Sequence, residues 1–248
     1  MATFFNGIMT AGRPLNNKNG VTLLETIIYM AIAGLLLAGF AMTFAGQNKS
    51  YNRQDAIAEI QQNIRGATQV MASEIRLAGF DPERKGAGFS DASEKSLAFN
   101  YWEDDDGNGS FETDRIISYD HYDSYGDGIL AIGRKVGAGN NVPLAENIDQ
   151  LRFEYQYKDK TGTLVWASDA DAIALHHDIT DDKALDKIQA VKIIILGSVR
   201  PSAFSRTDST IYRPPLEGGG TVFSGEPDAG SGYKRLMSVV VQCRNLRG

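Results

Sequence analysis

The sequence predicts an α+β fold: one long amino-terminal helix whose second half packs on an antiparallel β-sheet head. Three observations predict it. Residues 21–45 are apolar enough and long enough to cross a membrane. Residues 57–78 carry apolar side chains at helical spacing along one face. After Gly79 the chain changes to short β-rich runs separated by Gly, Asp and Asn.

The totals set the frame. The chain has 248 residues and a formal net charge of −6, a balance that argues against a general nucleic-acid binder, which needs a basic face. Cys243 is the single cysteine, so no disulfide forms within the chain. His121, His176 and His177 are too few and too poorly spaced for a zinc site, and the adjacent pair reads as a solvated turn.

Residues 1–20 form the first segment. They contain Arg13 and Lys18 and no acid. A cleaved secretory signal places its apolar stretch before the cut, whereas here the apolar stretch follows this polar segment. Two cations ahead of the span favour an amino end in the cytoplasm and the bulk of the chain outside, although Lys49 and Arg53 beyond it weaken the bias.

The next segment, 21–45, reads VTLLETIIYMAIAGLLLAGFAMTFA. Nineteen of its 25 residues are hydrophobic, and no Lys or Arg lies between Lys18 and Lys49. A core helix of a soluble protein is rarely apolar all round, so a spanning helix is the better reading. Glu25 is the one carboxylate inside it. An acid such as Asp at the centre of a spanning helix costs about 2.5–3.5 kcal/mol, and less near an end. Glu25 therefore either snorkels to the cytoplasmic interface or pairs with a cation from another chain.

The stretch "GVTLLE" resembles the prepilin signature of type IV pilins and type II secretion pseudopilins. The resemblance covers the leader, Gly20, the spacing to Glu25 and the apolar helix that follows. It implies cleavage after Gly20 by a membrane prepilin peptidase, and N-methylation of the new first residue, Val21. It also implies assembly with other pilin or pseudopilin subunits on an inner-membrane platform. Glu25 becomes the fifth residue of the mature chain. Its implied role is to attract the amine of Val21, on an incoming subunit or its neighbour, and so set the axial register. Coulomb attraction is far stronger at that depth than in water. Two departures stand out. Val21 occupies a position where phenylalanine is commonest, and the proline found in many major pilins about twenty residues into the helix is missing, so the helix need not melt there. Loss of Arg13 and Lys18 with the leader takes the net charge from −6 to −8.

Beyond residue 50, Ile57, Ile60, Ile64, Ala67, Met71, Ile75 and Ala78 form the stripe, and Glu59, Gln62, Arg65, Gln69, Ser73 and Arg76 lie opposite. One helix over 21–79 follows, apolar over 21–45 and amphipathic over 46–79, with Gly79 ending it and Pro82 preventing its return. The alternative is two helices with a break around Gly46-Gln47-Asn48.

The head, 80–248, has candidate strands at 96–102, 115–121, 128–136, 148–157, 188–199 and 235–244. Leu151, Phe153, Tyr155 and Tyr157 alternate onto one face, and the dense apolar centre 193–196 marks a central strand. Short turns between consecutive strands suggest one antiparallel sheet covered on one face by the helix. Residues 203–233, rich in Pro and Gly, are a long connection read as a mobile insert. The blocks "MASEIRLAGF", "VPLAENIDQLRFEYQY", "IQAVKIIILGSVR" and "KRLMSVVVQCRNL" are similar, more loosely, to PilW-type minor pilins and J-type minor pseudopilins.

The stretch "DDDGNGSFE" places Asp104, Asp106, Asn108 and Glu112 at positions 1, 3, 5 and 9 of a loop, with Ser110 able to offer its carbonyl. Calcium takes six to eight oxygens, so the loop is a candidate structural Ca2+ site. An EF-hand is disfavoured because its twelfth position is Arg115. A metal-free acidic hairpin turn is the competing reading. The later "DSYGDG" reads as a turn.

No G-x-S-x-G elbow, phosphate loop or H-E-x-x-H helix occurs, so an enzyme is not expected. The expected function is a PilW-like minor pilin in assembly, initiation or tip structure of a type IV pilus. The alternatives are a minor pseudopilin of type II secretion and a non-polymerising single-span receptor. The expected location is the bacterial inner membrane, head periplasmic, and then the pilus or pseudopilus.

Overall fold

The computed structural model describes residues 20–126, 128–177, 179–199 and 233–246. The leader, apart from Gly20, and the connection 203–233, apart from Tyr233, lie outside the described residues. Contacts divide the chain into two compact units, one ending at Tyr51 and the other beginning at Asn52.

Helix α1 spans Leu23–Ile75 and runs through Gly46-Gln47-Asn48 without interruption. It begins two residues later and ends four residues earlier than the expected 21–79. The cause at the carboxyl end is a tightened turn. Leu77 N–H bonds the Glu74 carbonyl at 2.9 Å and Ala78 N–H bonds the Ile75 carbonyl at 3.1 Å, before Gly79 takes φ +75°. A left-handed residue of this kind is a common helix stop.

In the first unit, α1 exposes Leu23, Leu24, Ile27, Ile28, Leu35, Leu36, Leu37 and Phe40. Among the described residues, α1 is the one helix long and apolar enough to cross a membrane.

In the second unit, α1 buries Ile60, Ile64, Ala67, Thr68, Met71, Ala72 and Ile75. All of these but Thr68 join one hydrophobic core with side chains from two sheets. The single sheet expected from the strand pattern is therefore corrected to two. The first sheet is an antiparallel meander in the order β1 (Phe89–Ala92), β2 (Leu97–Glu103), β3 (Thr113–Asp123), β4 (Leu130–Val136), β5 (Val142–Glu146). The second has the order β7 (Leu164–Ala167), β6 (Ile148–Lys158), β8 (Ile188–Val199), β9 (Tyr233–Gln242), again antiparallel.

The split between the sheets falls on one residue. Asn147 separates β5 from β6 and has φ +61°. Asparagine tolerates this left-handed conformation better than most residues. Its carbonyl accepts the Ser198 N–H at 2.9 Å, which docks the corner on β8. Alternation of side chains identifies strands but not the sheet each one joins, so periodicity alone merges the two.

β8 lies between β6 and β9, as its apolar centre predicts, and Ile193, Ile194, Ile195 and Leu196 are all buried. The helix crosses this strand at Gly197. A Cβ there would lie 2.6 Å from Ile64 Cδ1 and 2.9 Å from Ile60 Cδ1.

Three strands and two helices have no counterpart among the expected elements. β1 and β7 have four residues each, too short for a periodic signal. β5 contains Pro143, and prolines are tolerated at sheet edges, where β5 sits. Between β7 and β8 lie α2 (Ala170–His177) and α3 (Asp181–Leu185). The His176–His177 pair is thus in the last turn of a helix rather than in the solvated turn expected. Its rings meet buried Tyr157 edge-on, with centroids at 5.8 and 5.5 Å.

Candidate functional site

The site begins where α1 begins. Gly20 and Val21 are exposed and precede the first helical residue, Leu23. A Cβ on Gly20 would meet nothing within 4 Å, so the chain's own packing does not require glycine there. Thr22 caps the helix. Its Oγ1 accepts the Glu25 N–H at 3.2 Å, and its carbonyl accepts the Thr26 N–H at 3.2 Å. Thr22 and Glu25 thus occupy the first and fourth places of a T-x-x-E capping pattern. A carboxylate in the first turn also meets the positive end of the helix dipole.

Glu25 is half-buried, whereas Val21–Leu24 and Thr26–Met30 are exposed. One turn on, the Tyr29 hydroxyl donates to Glu25 Oε1 at 2.5 Å. Residues four apart share a helix face, which brings these two side chains together. Sequence reasoning singles out Glu25 but misses Thr22 and Tyr29. The T-x-x-E spacing and the i+4 tyrosine are the signals that could have found them.

Further along, Gly34, Gly39 and Gly46 have open space where a Cβ would stand. These positions leave α1 with a bare backbone surface amid exposed apolar side chains.

Residues 15–41 match the family model described as the prokaryotic N-terminal methylation motif. The chain carries this motif where α1 begins. The matched residues include Gly20, Val21, Thr22, Glu25 and Tyr29. A type IV-like pilin from Thermus thermophilus shares 17% identity with this chain at a TM-score of 0.44, over 76% of this chain and 98% of that one. Comparison with curated protein sequences finds no match.

The second candidate lies in the head, in the β2–β3 hairpin. Carboxylate oxygens of Asp104, Asp106 and Glu112 lie within 4.8 Å of one another. Asp104 accepts N–H bonds from Gly107 at 2.7 Å and Asn108 at 3.1 Å on Oδ1, and from Gly109 at 2.8 Å on Oδ2. These bonds, that of Gly109 foremost, hold its carboxyl below the usual carboxylate range. Gly107 and Gly109 have φ of +73° and +90°, which turn those amides inward.

Asn108 occupies the middle. Its Nδ2 donates to Asp106 Oδ2 at 2.9 Å and to Glu112 Oε1 at 3.3 Å, while its Oδ1 accepts the Ser110 N–H at 2.7 Å. The predicted ligands Asp104, Asp106, Asn108 and Glu112 are therefore together. The oxygen-only donor set suits a hard divalent cation. Such a cation fits if the Asn108 amide gives up its two carboxylate bonds.

The hairpin is anchored at Phe111. Its N–H donates to Glu83 Oε1 at 3.1 Å, its carbonyl accepts Lys85 Nζ at 2.6 Å, and its ring meets Phe80 edge-on at 5.6 Å. Residues just after α1 thus hold the acidic hairpin, a link between distant segments that no local pattern announces.

Proposed function

We propose that this chain is a PilW-like minor pilin. A prepilin peptidase cuts it after Gly20, Val21 is N-methylated, and the mature chain joins other subunits in the assembly, initiation or tip of a type IV pilus. The observation that carries this reading is the methylation motif at the start of a capped helix, with the Gly20–Val21 bond exposed and Glu25 in its first turn. A glycine that the chain's own packing does not need is consistent with selection by the processing enzyme.

The subunit begins in the bacterial inner membrane with its amino end cytoplasmic and its head periplasmic. Its apolar helix then leaves the bilayer to pack against similar helices. Gly34 and Gly39 support close approach of neighbouring helices, because each leaves room for another backbone. Glu25 attracts the Val21 amine of an incoming subunit or its neighbour. The role is structural rather than enzymatic.

Two other roles share this machinery or its anchor. A minor pseudopilin of type II secretion would use the same processing and packing, whereas a single-span receptor would not polymerise. Mass spectrometry of the mature amino terminus tests the core of the reading. Methylated Val21 is the expected result, and an intact Met1 would overturn it. The chain is expected in sheared surface filaments, where a receptor would be missing. Loss of twitching or DNA uptake on deletion separates the pilus from secretion, for which exoprotein would be retained in the periplasm.

For the acidic hairpin we infer a structural calcium site formed by Asp104, Asp106, Asn108 and Glu112, with the Ser110 carbonyl. The convergence of three carboxylates supports it.

A further inference from the structure

We propose that Tyr29 is a positioning residue for Glu25: its hydroxyl holds one carboxylate oxygen, so that the other is presented to an ammonium group brought by a second subunit. The inference rests on the assembly reading above and adds to it a residue that this reading leaves without a role.

The geometry is local and directional. Tyr29 O–H donates to Oε1 at 2.5 Å, a length typical of a hydroxyl on a charged carboxylate. The Glu25 backbone is fixed by its own N–H on Thr22 Oγ1 at 3.2 Å. Backbone and side chain are thereby both tied, one to the residue three before and the other to the residue four after. Among the described residues, none donates to Oε2. A carboxylate offers about four lone-pair directions and the phenol fills one, so an ammonium group and the phenol bind together rather than in competition.

The surroundings make the bond matter. Val21, Leu23, Leu24, Ile27 and Ile28 are exposed apolar side chains, so in a bilayer Glu25 sits among lipid rather than water. A carboxylate that has lost its hydration needs replacement donors. Without Tyr29 the cheapest remedy is to swing towards the headgroups, away from the helix face where a neighbouring subunit arrives. The tyrosine hydroxyl supplies a donor on that face, and its ring remains at home in the apolar layer.

The test compares Tyr29→Phe with Glu25→Ala in the full chain, expressed with its partner subunits. Leader removal and membrane level are expected to stay normal in Tyr29→Phe, and incorporation into sheared filaments to fall about tenfold, the scale of one charge-assisted hydrogen bond. Infrared spectra of the mature chain in lipid nanodiscs supply the second readout. The Glu25 carboxylate stretch, assigned by difference against Glu25→Gln, is expected to shift in Tyr29→Phe.

Wild-type incorporation by Tyr29→Phe alongside failure of Glu25→Ala would overturn the inference and leave the assembly reading standing. Reduced incorporation with an unshifted band would also overturn it, since the ring would then serve packing alone. If Glu25→Ala itself assembles at wild-type yield, the assembly reading fails, and this inference fails with it.

Discussion

Arg134 on β4 forks onto Glu74 near the end of α1, with Nη2–Oε1 at 2.5 Å, Nε–Oε2 at 3.0 Å and Nε–Oε1 at 3.1 Å. The Tyr119 hydroxyl on β3 donates to the same carboxylate. Glu74 is 16% exposed and Arg134 32%, so the pair is only partly screened by water. It fixes the helix to the five-stranded sheet in a direction that apolar contacts cannot specify. Arg134→Ala leaves the Glu74 carboxylate with the phenol alone. Breaking a fully buried pair costs about 3–5 kcal/mol, and partial exposure reduces that to about 2 kcal/mol here. Urea unfolding of the detergent-solubilised chain is the measurement. A loss below about 0.5 kcal/mol would show the pair to be worth no more than a surface bridge.

The head is expected to lose stability at both ends of the pH range. Burial first, then the Glu74 bond, holds the Tyr119 phenol well above its ordinary 10.0, and burial does the same for Tyr155. A raised phenol contributes stability that is full below its unfolded value and is lost as pH climbs beyond about 10. Cys243, pushed up to about 12 by burial, adds to the alkaline loss from about pH 9 upward. On the acid side, burial depresses His121, with Lys95 acting the same way, against its ring bond to the Ile148 carbonyl and the charges of Asp149 and Asp120. Its contribution is present above the unfolded value of about 6.5 and is lost as pH falls. Unfolding midpoints measured from about pH 5 to pH 11 check both limbs. Tyr119→Phe should shallow the alkaline limb, and His121→Gln should flatten the acid limb between about pH 6.5 and 5.

Gly197 makes room for α1 on the four-stranded sheet. A valine there would drive branched methyls into Ile60 and Ile64, whose Cδ1 atoms would stand 2.9 and 2.6 Å from its Cβ. Overpacking of this kind costs about 1–3 kcal/mol. Gly197→Val is expected to lower the urea midpoint accordingly, and trimming Ile64 to valine in the same chain should recover part of the loss. Additive losses from the two changes would show that the contact is not the cause.

Isothermal titration with Ca2+ should show one site in the wild-type chain and none in Asp104→Asn/Asp106→Asn. Adding chelator should lower the melting temperature of the wild type and leave the double variant unchanged. Equal melting with and without chelator in both chains would favour a metal-free hairpin held by Asn108.

Much of this molecule can be read along the chain. The apolar run, Glu25 five residues after Gly20, the amphipathic stripe and the six longest strands each depend on periodicity or short spacing, which local sequence records directly. The acidic hairpin belongs to the same class, since alternate acids beside Gly107 and Gly109 fold back on themselves. What stays hidden is either too short or non-local. β1 and β7 carry too few residues for alternation to declare itself, and α2 hides within a stretch that reads as loop.

By itself, then, the sequence determined the elements with strong periodicity and the methylation motif of the amino-terminal segment, because both are encoded within a few residues of each other. Only the tertiary structure decided that Asn147 divides the strands between two sheets, that Glu74 meets Arg134 and Tyr119, and that Gly197 receives the helix. Those pairings join residues tens of positions apart. They are selected by the shared burial of one core and by mutual satisfaction of polar groups, and neither leaves a local periodic mark.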